Sequence, residues 1–223
     1  MDYKIVEVKE DIIRRNDSTA EELRKQLKEK KIFFINLMAS PGSGKTTLLL
    51  HLLPLLKEKY RIAVMEADID SEVDAVTISK ELNIPTLQIH TSGACHLTAQ
   101  MVEDALKDFD LSNIDLLILE NIGNLVCPAE FDTGANMNLV LLSVPEGDDK
   151  PLKYPLMFEV ASMVVATKFD TREVFDFDVE KFHANVRKRN KIAEIFETSA
   201  INDIGIAQLA NKLIQIIDSY SNV

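Results

Sequence analysis

The sequence predicts an α/β fold: one domain built on a mainly parallel, doubly wound sheet with helices on both faces, preceded by an N-terminal helical segment. Three observations lead there. Seven apolar runs of strand length alternate with helical patterns, the order expected of crossover-connected strands. The runs are nearly continuous in Leu, Ile and Val rather than alternating with polar residues, as in strands covered on both faces. The chain of 223 residues, 46% of them hydrophobic, is long enough for one sizeable core and shows no linker, repeat or low-complexity stretch.

The elements follow in order. Residues 1–31 mix nine basic with eight acidic side chains, and Ile5, Val8, Ile12, Ile13, Leu23 and Leu27 recur at helical spacing. One or two amphipathic helices are expected, interrupted at the turn-like Asn16-Asp17-Ser18-Thr19. Charges of both signs fit a helix packed on the domain surface better than one lying on a membrane. From residue 32 to 223 runs the main domain. Strands are expected over 32–39, 61–67, 85–91, 115–121, 138–144, 162–168 and 192–199, with helices near 45–58, 72–82, 97–108, 178–190 and 203–219. In such folds ligands bind at the carboxyl ends of the strands.

Composition excludes several functions. With 25 Lys plus Arg against 36 Asp plus Glu, the net charge is −11, which disfavours nucleic acid as a partner. No apolar run approaches the roughly 18 residues that cross a bilayer. The first residues lack the apolar core of a secretory signal, so a cytoplasmic protein is expected. Two cysteines cannot build a disulfide framework, and in a reducing compartment they stay free to bind metal.

The first strand leads into Ala39-Ser40-Pro41-Gly42-Ser43-Gly44-Lys45-Thr46-Thr47, followed by a helical run. Apart from its first position this is the G-x-x-x-x-G-K-[ST] phosphate loop in its strand–loop–helix setting. Gly42 and Gly44 let backbone N–H groups of this loop, through Ser43 and Thr47, converge on an anion, and the helix N-terminus adds its dipole. Lys45 suits the β- and γ-phosphates, and the Thr46 hydroxyl suits Mg²⁺. A nucleoside triphosphate site is therefore expected. Ala39 in place of the first Gly requires a negative φ there.

Later segments bear on the base. Thr167-Lys168-x-Asp170 ends a strand with the layout of a guanine-reading element: the carboxylate accepts from two guanine N–H donors while the Lys stem covers the ring. Thr198-Ser199-Ala200 ends the next strand as a backbone-donor segment for the guanine oxygen. Glu120-Asn121-Ile122-Gly123 places an acidic-x-x-Gly turn where a γ-phosphate sensor belongs. Asp68, ending the second strand, and Asp74 are candidates to hold Mg²⁺ or orient the attacking water, against a competing reading of Asp68 as a helix cap. GTP, GDP and Mg²⁺ are the expected ligands.

Cys95-His96, at the expected start of a helix, and Cys127 offer two thiols and an imidazole, a donor set for Ni²⁺ or Zn²⁺. A helix N-terminus would lower the thiol pKa. Three ligands leave the site incomplete. By composition alone, a metal site and a pair of ordinary free thiols both fit.

ASPGSGKTTLL, TSGACHLTAQMV, DLLILENIGNLVCPAEFD, LVLLSVPEGDDKPLKYPLMF, the TKFD element and FDFDVEKF, in this order, resemble the HypB family of hydrogenase nickel-incorporation GTPases, relatives of the urease accessory GTPase. The resemblance implies a GTP-hydrolysing metallochaperone with a metal site of Cys95, His96 and Cys127 at a nucleotide- or metal-dependent homodimer interface. It also implies other hydrogenase maturation proteins and the hydrogenase large subunit as partners. Five positions depart from the family pattern: Ala39 and Ala67 stand for Gly, Thr77 for Arg, Gln100 for His, and Thr167 for Asn. The Cys-rich or His-rich tracts of some members are missing from this sequence. Competing readings are an ATP-dependent small-molecule kinase, a metal-binding dimerisation module with an idle nucleotide site, and a GTPase serving another nickel enzyme.

Overall fold

A computed structural model describes residues 8–221. In chain order the elements are α1 (Val8–Glu29), β1 (Phe33–Met38), α2 (Lys45–Lys57), β2 (Ile62–Asp68), α3 (Val73–Leu82), β3 (Thr86–His90), α4 (Ala99–Lys107) and β4 (Leu116–Glu120). Then come α5 (Cys127–Glu130), β5 (Met137–Ser143), α6 (Lys150–Lys153), α7 (Pro155–Glu159), β6 (Met163–Thr167), α8 (Val179–Arg189), β7 (Glu194–Glu197) and α9 (Ile206–Ser221). The seven strands form one sheet in the order β3-β2-β4-β1-β5-β6-β7. Every strand pair is parallel, so the sheet is more uniform than expected.

Alternate residues of β1 serve opposite faces, as a period of two requires. Phe33, Ile35 and Leu37 meet the leucines of α2 and the apolar stripe of α9. Phe34 faces the other way into a core shared with α1 and α4, and Met38 joins α7 and α8. β1 is central, with β4 on one side and β5 on the other. The strand order reverses there, which opens a crevice beyond its carboxyl end. Beneath that crevice three amides form a chain: the Asn121 Nδ2–H donates to Asn36 Oδ1 (2.9 Å), and the Asn36 Nδ2–H donates to Asn138 Oδ1 (3.1 Å).

The N-terminal segment departs from expectation. Where a break was expected at Asn16–Thr19, α1 runs unbroken. Asn usually weakens helix interiors because its side chain competes for local backbone groups. Here the Asn16 side chain is buried and spent elsewhere: Oδ1 accepts from the Ala99 N–H (2.9 Å) and Nδ2 donates to the Asp132 carbonyl (2.8 Å). Asn16, Ala20, Leu23 and Leu27 form the inward stripe, while Ile12 is half exposed. Ile5 lies outside the described residues. The short helices α5, α6 and α7 were absent from the expected elements; at four or five residues each they are too brief to show a period.

Candidate nucleotide and metal site

The phosphate loop sits at the carboxyl end of β1. Gly42 and Gly44 adopt φ values of 72° and 93°, the left-handed conformation that only glycine takes without strain. Ala39 is not among the positive-φ residues, so the missing glycine costs nothing there. Its side chain is fully buried in the core against α2. The loop hands directly into α2, whose first residues are Lys45, Thr46 and Thr47.

Two buried acids stand behind the loop. The Thr46 hydroxyl donates to Glu120 Oε1 (3.0 Å), and the Lys45 ammonium lies 3.9 Å from the same oxygen. Glu66, on neighbouring β2, lies opposite Glu120 in the strand register and is 3% exposed. Burial first, and the negative charge of Glu120 next, push the Glu66 carboxyl up to about 11. Burial likewise raises Glu120, with Lys45 opposing it. Asp74 joins them: ligand atoms of Glu66, Asp74 and Glu120 lie within 4.8 Å of one another.

The chemistry of this set fits a hard divalent cation. Oε2 of both Glu66 and Glu120 is buried without a hydrogen-bond partner, an arrangement that is costly unless a proton or cation shares it. Asp68 is committed differently. Its Oδ1 accepts from the backbone N–H groups of Asp70 (3.0 Å) and Ser71 (2.8 Å), which holds its pKa below the usual range. Both donors lie in the turn before α3, whose N-cap is Glu72 without a side-chain cap bond, so Asp68 braces a turn and caps no helix, and Glu66 occupies the place in the cluster foreseen for Asp68. A charged residue inside an otherwise apolar strand, RIAVMEA, was the signal for Glu66.

Gly44, Thr47, Leu48, Thr167, Lys168, Asp170, Thr198 and Ala200 line one cleft beside the loop. Thr167, at the family's Asn position, donates its hydroxyl to the Ser43 carbonyl (2.6 Å), so it ties β6 to the phosphate loop. Lys168 has φ 55° and donates from Nζ to the Gly42 carbonyl (2.8 Å), laying its stem along the cleft. The Ser199 hydroxyl donates to Asp170 Oδ1 (2.5 Å), joining the segments that follow β6 and β7.

Gly123 packs against the loop from the other side. A Cβ there would lie 2.9 Å from the Pro41 backbone, so only glycine fits. Asn124 follows, its N–H donating to the Ala39 carbonyl (2.8 Å).

Cys95, His96 and Cys127 come together with ligand atoms within 4.8 Å and the two Sγ atoms 3.0 Å apart. His96 stacks on Phe131 with ring centroids 4.0 Å apart. Cys95 and His96 lie in a loop, not at a helix start; α4 begins at Ala99, with Thr98 as its cap. The expected lowering of the Cys95 pKa is therefore absent. Its thiol is pushed up instead, chiefly by the hydrogen bond with Cys127 and then by desolvation. Burial lowers the pKa of His96, favouring the neutral ring that binds metal.

Residues 33–197 match the family model described as CobW/HypB/UreG, nucleotide-binding domain. The chain belongs to this family. Hydrogenase maturation factor HypB of Escherichia coli (strain K12) is 42% identical over 210 residues, spanning 94% of this chain and 72% of that protein. Hydrogenase/urease maturation factor HypB of Helicobacter pylori is 41% identical over 216 residues, spanning 95% and 88%. The crystal structure of HypB from Helicobacter pylori in complex with nickel superposes with a TM-score of 0.86 at 41% identity, over 92% of this chain and 96% of that one. HypB from Archaeoglobus fulgidus gives 0.84 at 35% identity, over 92% and 99%. Within the family the chain therefore groups with the HypB hydrogenase maturation factors.

Proposed function

We propose that this chain hydrolyses GTP slowly and uses the cycle to bind and release nickel for hydrogenase maturation. Water attacks the γ-phosphorus, the bond to the β–γ bridging oxygen breaks, and GDP and phosphate leave. The chain's part is positional and electrostatic. Backbone N–H groups of Gly42 to Thr47 cradle the phosphates, and Lys45, its side chain 11% exposed, offsets their charge in a nearly dry setting. Thr46, Glu66, Asp74 and Glu120 would hold Mg²⁺, which supplies positive charge to the phosphate oxygens. Asp74, at the open side of the acidic group, also orients water. Thr167, Lys168, Asp170, Ser199 and Ala200 read guanine.

Nickel, or zinc in its place, is cargo on Cys95, His96 and Cys127. A second copy of the chain completes this three-ligand set, so the metal sits at a homodimer interface. The observation that carries the reading is the continuity of the two sites: the Gly123 turn presses on Pro41, and Cys127 follows four residues later beside Cys95. Loss of the γ-phosphate contact relaxes the turn and shifts Cys127 relative to its co-ligands. The protein works in the cytoplasm with other maturation proteins and the hydrogenase large subunit; no nucleic acid or membrane is involved. Relatives described as hydrogenase/urease maturation factors support urease as a second client.

The test is phosphate release from GTP and, in parallel, ATP, with and without Ni²⁺, together with Ni²⁺ and Zn²⁺ titration of the GDP-bound and GTP-analogue-bound forms. Preference for GTP and a metal affinity that differs between nucleotide states are expected. Equal affinities with an unchanged oligomeric state would sink the gating. Preference for ATP would return the kinase reading.

A further inference from the structure

We infer that Asn124 is the positioning residue through which the phosphate loop moves both thiols, an inference that rests on the nucleotide gating proposed above. Three hydrogen bonds leave this residue in three directions. Its backbone N–H donates to the carbonyl of Ala39, the residue that opens the phosphate loop (2.8 Å). Its side-chain Nδ2–H donates to the carbonyl of Cys95 (3.2 Å). Its Oδ1 accepts from the N–H of Val126, the residue before Cys127 (2.9 Å). The segments bearing the two thiols, 32 positions apart in sequence, thus hang on one side chain whose backbone is pinned to the nucleotide loop.

The geometry is stiff where it must transmit and replaceable where it can be tested. Next to Asn124, the backbone of Gly123 lies so close to Pro41 that an added Cβ would sit 2.9 Å from its N and Cα. Residues 39–41 and 123–124 therefore shift together. A carboxamide offers a donor and an acceptor at once, which is what two neighbouring segments of opposite need require. Asp keeps the acceptor for Val126 but turns a negative oxygen toward the Cys95 carbonyl. Ala keeps neither. The bond from the backbone N–H to Ala39 survives either change, so substitution cuts the link on its metal side and leaves the nucleotide side intact. The His96 ring has a support of its own in its stacking on Phe131.

The experiment compares the full-length wild type with Asn124→Ala and Asn124→Asp. For each, the affinity for Ni²⁺ is measured against a chromophoric chelator in the GDP-bound form and in the form bound to a non-hydrolysable GTP analogue. Fluorescent-GDP binding and circular dichroism are measured alongside. In the wild type the two metal affinities should differ by at least about fivefold, the lower end of ordinary coupling between sites. In Asn124→Ala their ratio should fall to near one, with GDP affinity kept within about twofold and the fold unchanged. By reciprocity, the effect of Ni²⁺ on the relative affinity for the two nucleotides should collapse by the same factor. Asn124→Asp should lose the coupling too, and it keeps the test open if the alanine variant fails to fold. A wild-type ratio preserved in both variants overturns the role of Asn124 and leaves the gating intact. A ratio of one in the wild type overturns the gating itself, and the transmission with it.

Discussion

Replacing Glu66 with Gln should remove a large part of the pH dependence of stability in the nucleotide-free, Mg²⁺-free protein. Glu66 is 3% exposed on β2 and lies opposite Glu120 in the strand register. Its carboxyl is pushed from 4.5 up to about 11, first by burial and then by the charge of Glu120. Across neutral pH the folded chain therefore keeps a proton that the unfolded chain has lost. A raised acid of this kind favours folding most below its unfolded pKa, and the benefit drains away as pH rises toward the folded value. A full proton of difference corresponds to about 1.4 kcal/mol per pH unit, so the wild type should lose stability steadily between pH 6 and pH 8 from this group, on the order of 1 kcal/mol per pH unit. Gln keeps the shape of the side chain but has nothing to titrate. Urea unfolding at pH 6, 7 and 8 reads the difference directly. The two proteins differ only at position 66, so the gap between the two slopes reports the buried acid pair. Parallel slopes for wild type and variant would refute a protonated acid pair at this position.

Other outcomes follow from the same geometry. Gly123→Ala forces a methyl group against the Pro41 backbone, and overpacking of this kind costs about 1–3 kcal/mol; both the urea midpoint and fluorescent-GDP affinity should fall. Asn16→Ala strands the buried Ala99 N–H and should destabilise by about 1–3 kcal/mol, seen as a lower thermal midpoint with GDP affinity unchanged. Asp170→Asn replaces an acceptor with a mixed donor–acceptor and should weaken GDP binding at least tenfold while leaving the fold intact, checked by titration with labelled GDP.

Much of this is legible in the sequence. All seven strands and the five long helices of the main domain stand where the apolar patterns placed them, because long periodic segments overdetermine their own structure. The phosphate loop was equally plain, since its glycines and its Lys-Thr pair are local requirements. What escaped was decided between segments. Asn16 reads as a helix breaker until its side chain is seen to be engaged by Ala99 and Asp132, residues more than 80 positions away. Asp68 and Glu66 both end up at the carboxyl end of β2, and only the sheet register shows which one faces Glu120. The thiol of Cys95 was expected at a helix start that begins four residues later.

The chain of Asn121, Asn36 and Asn138 bears on how the sheet finds its order. Seven parallel strands built from similar runs of Leu, Ile and Val are nearly interchangeable partners, and a slip along any of them would still bury oily side chains. The three amides are not interchangeable. In the native register Asn36 lies opposite Asn138. Shift β1 against β5 by a single residue and those amides turn to opposite faces, leaving the buried Asn36 amide group without its mate at about 1–3 kcal/mol. The polar thread through the greasy centre thus acts as a key that only one alignment accepts. It fixes the floor beneath the crevice before any ligand arrives.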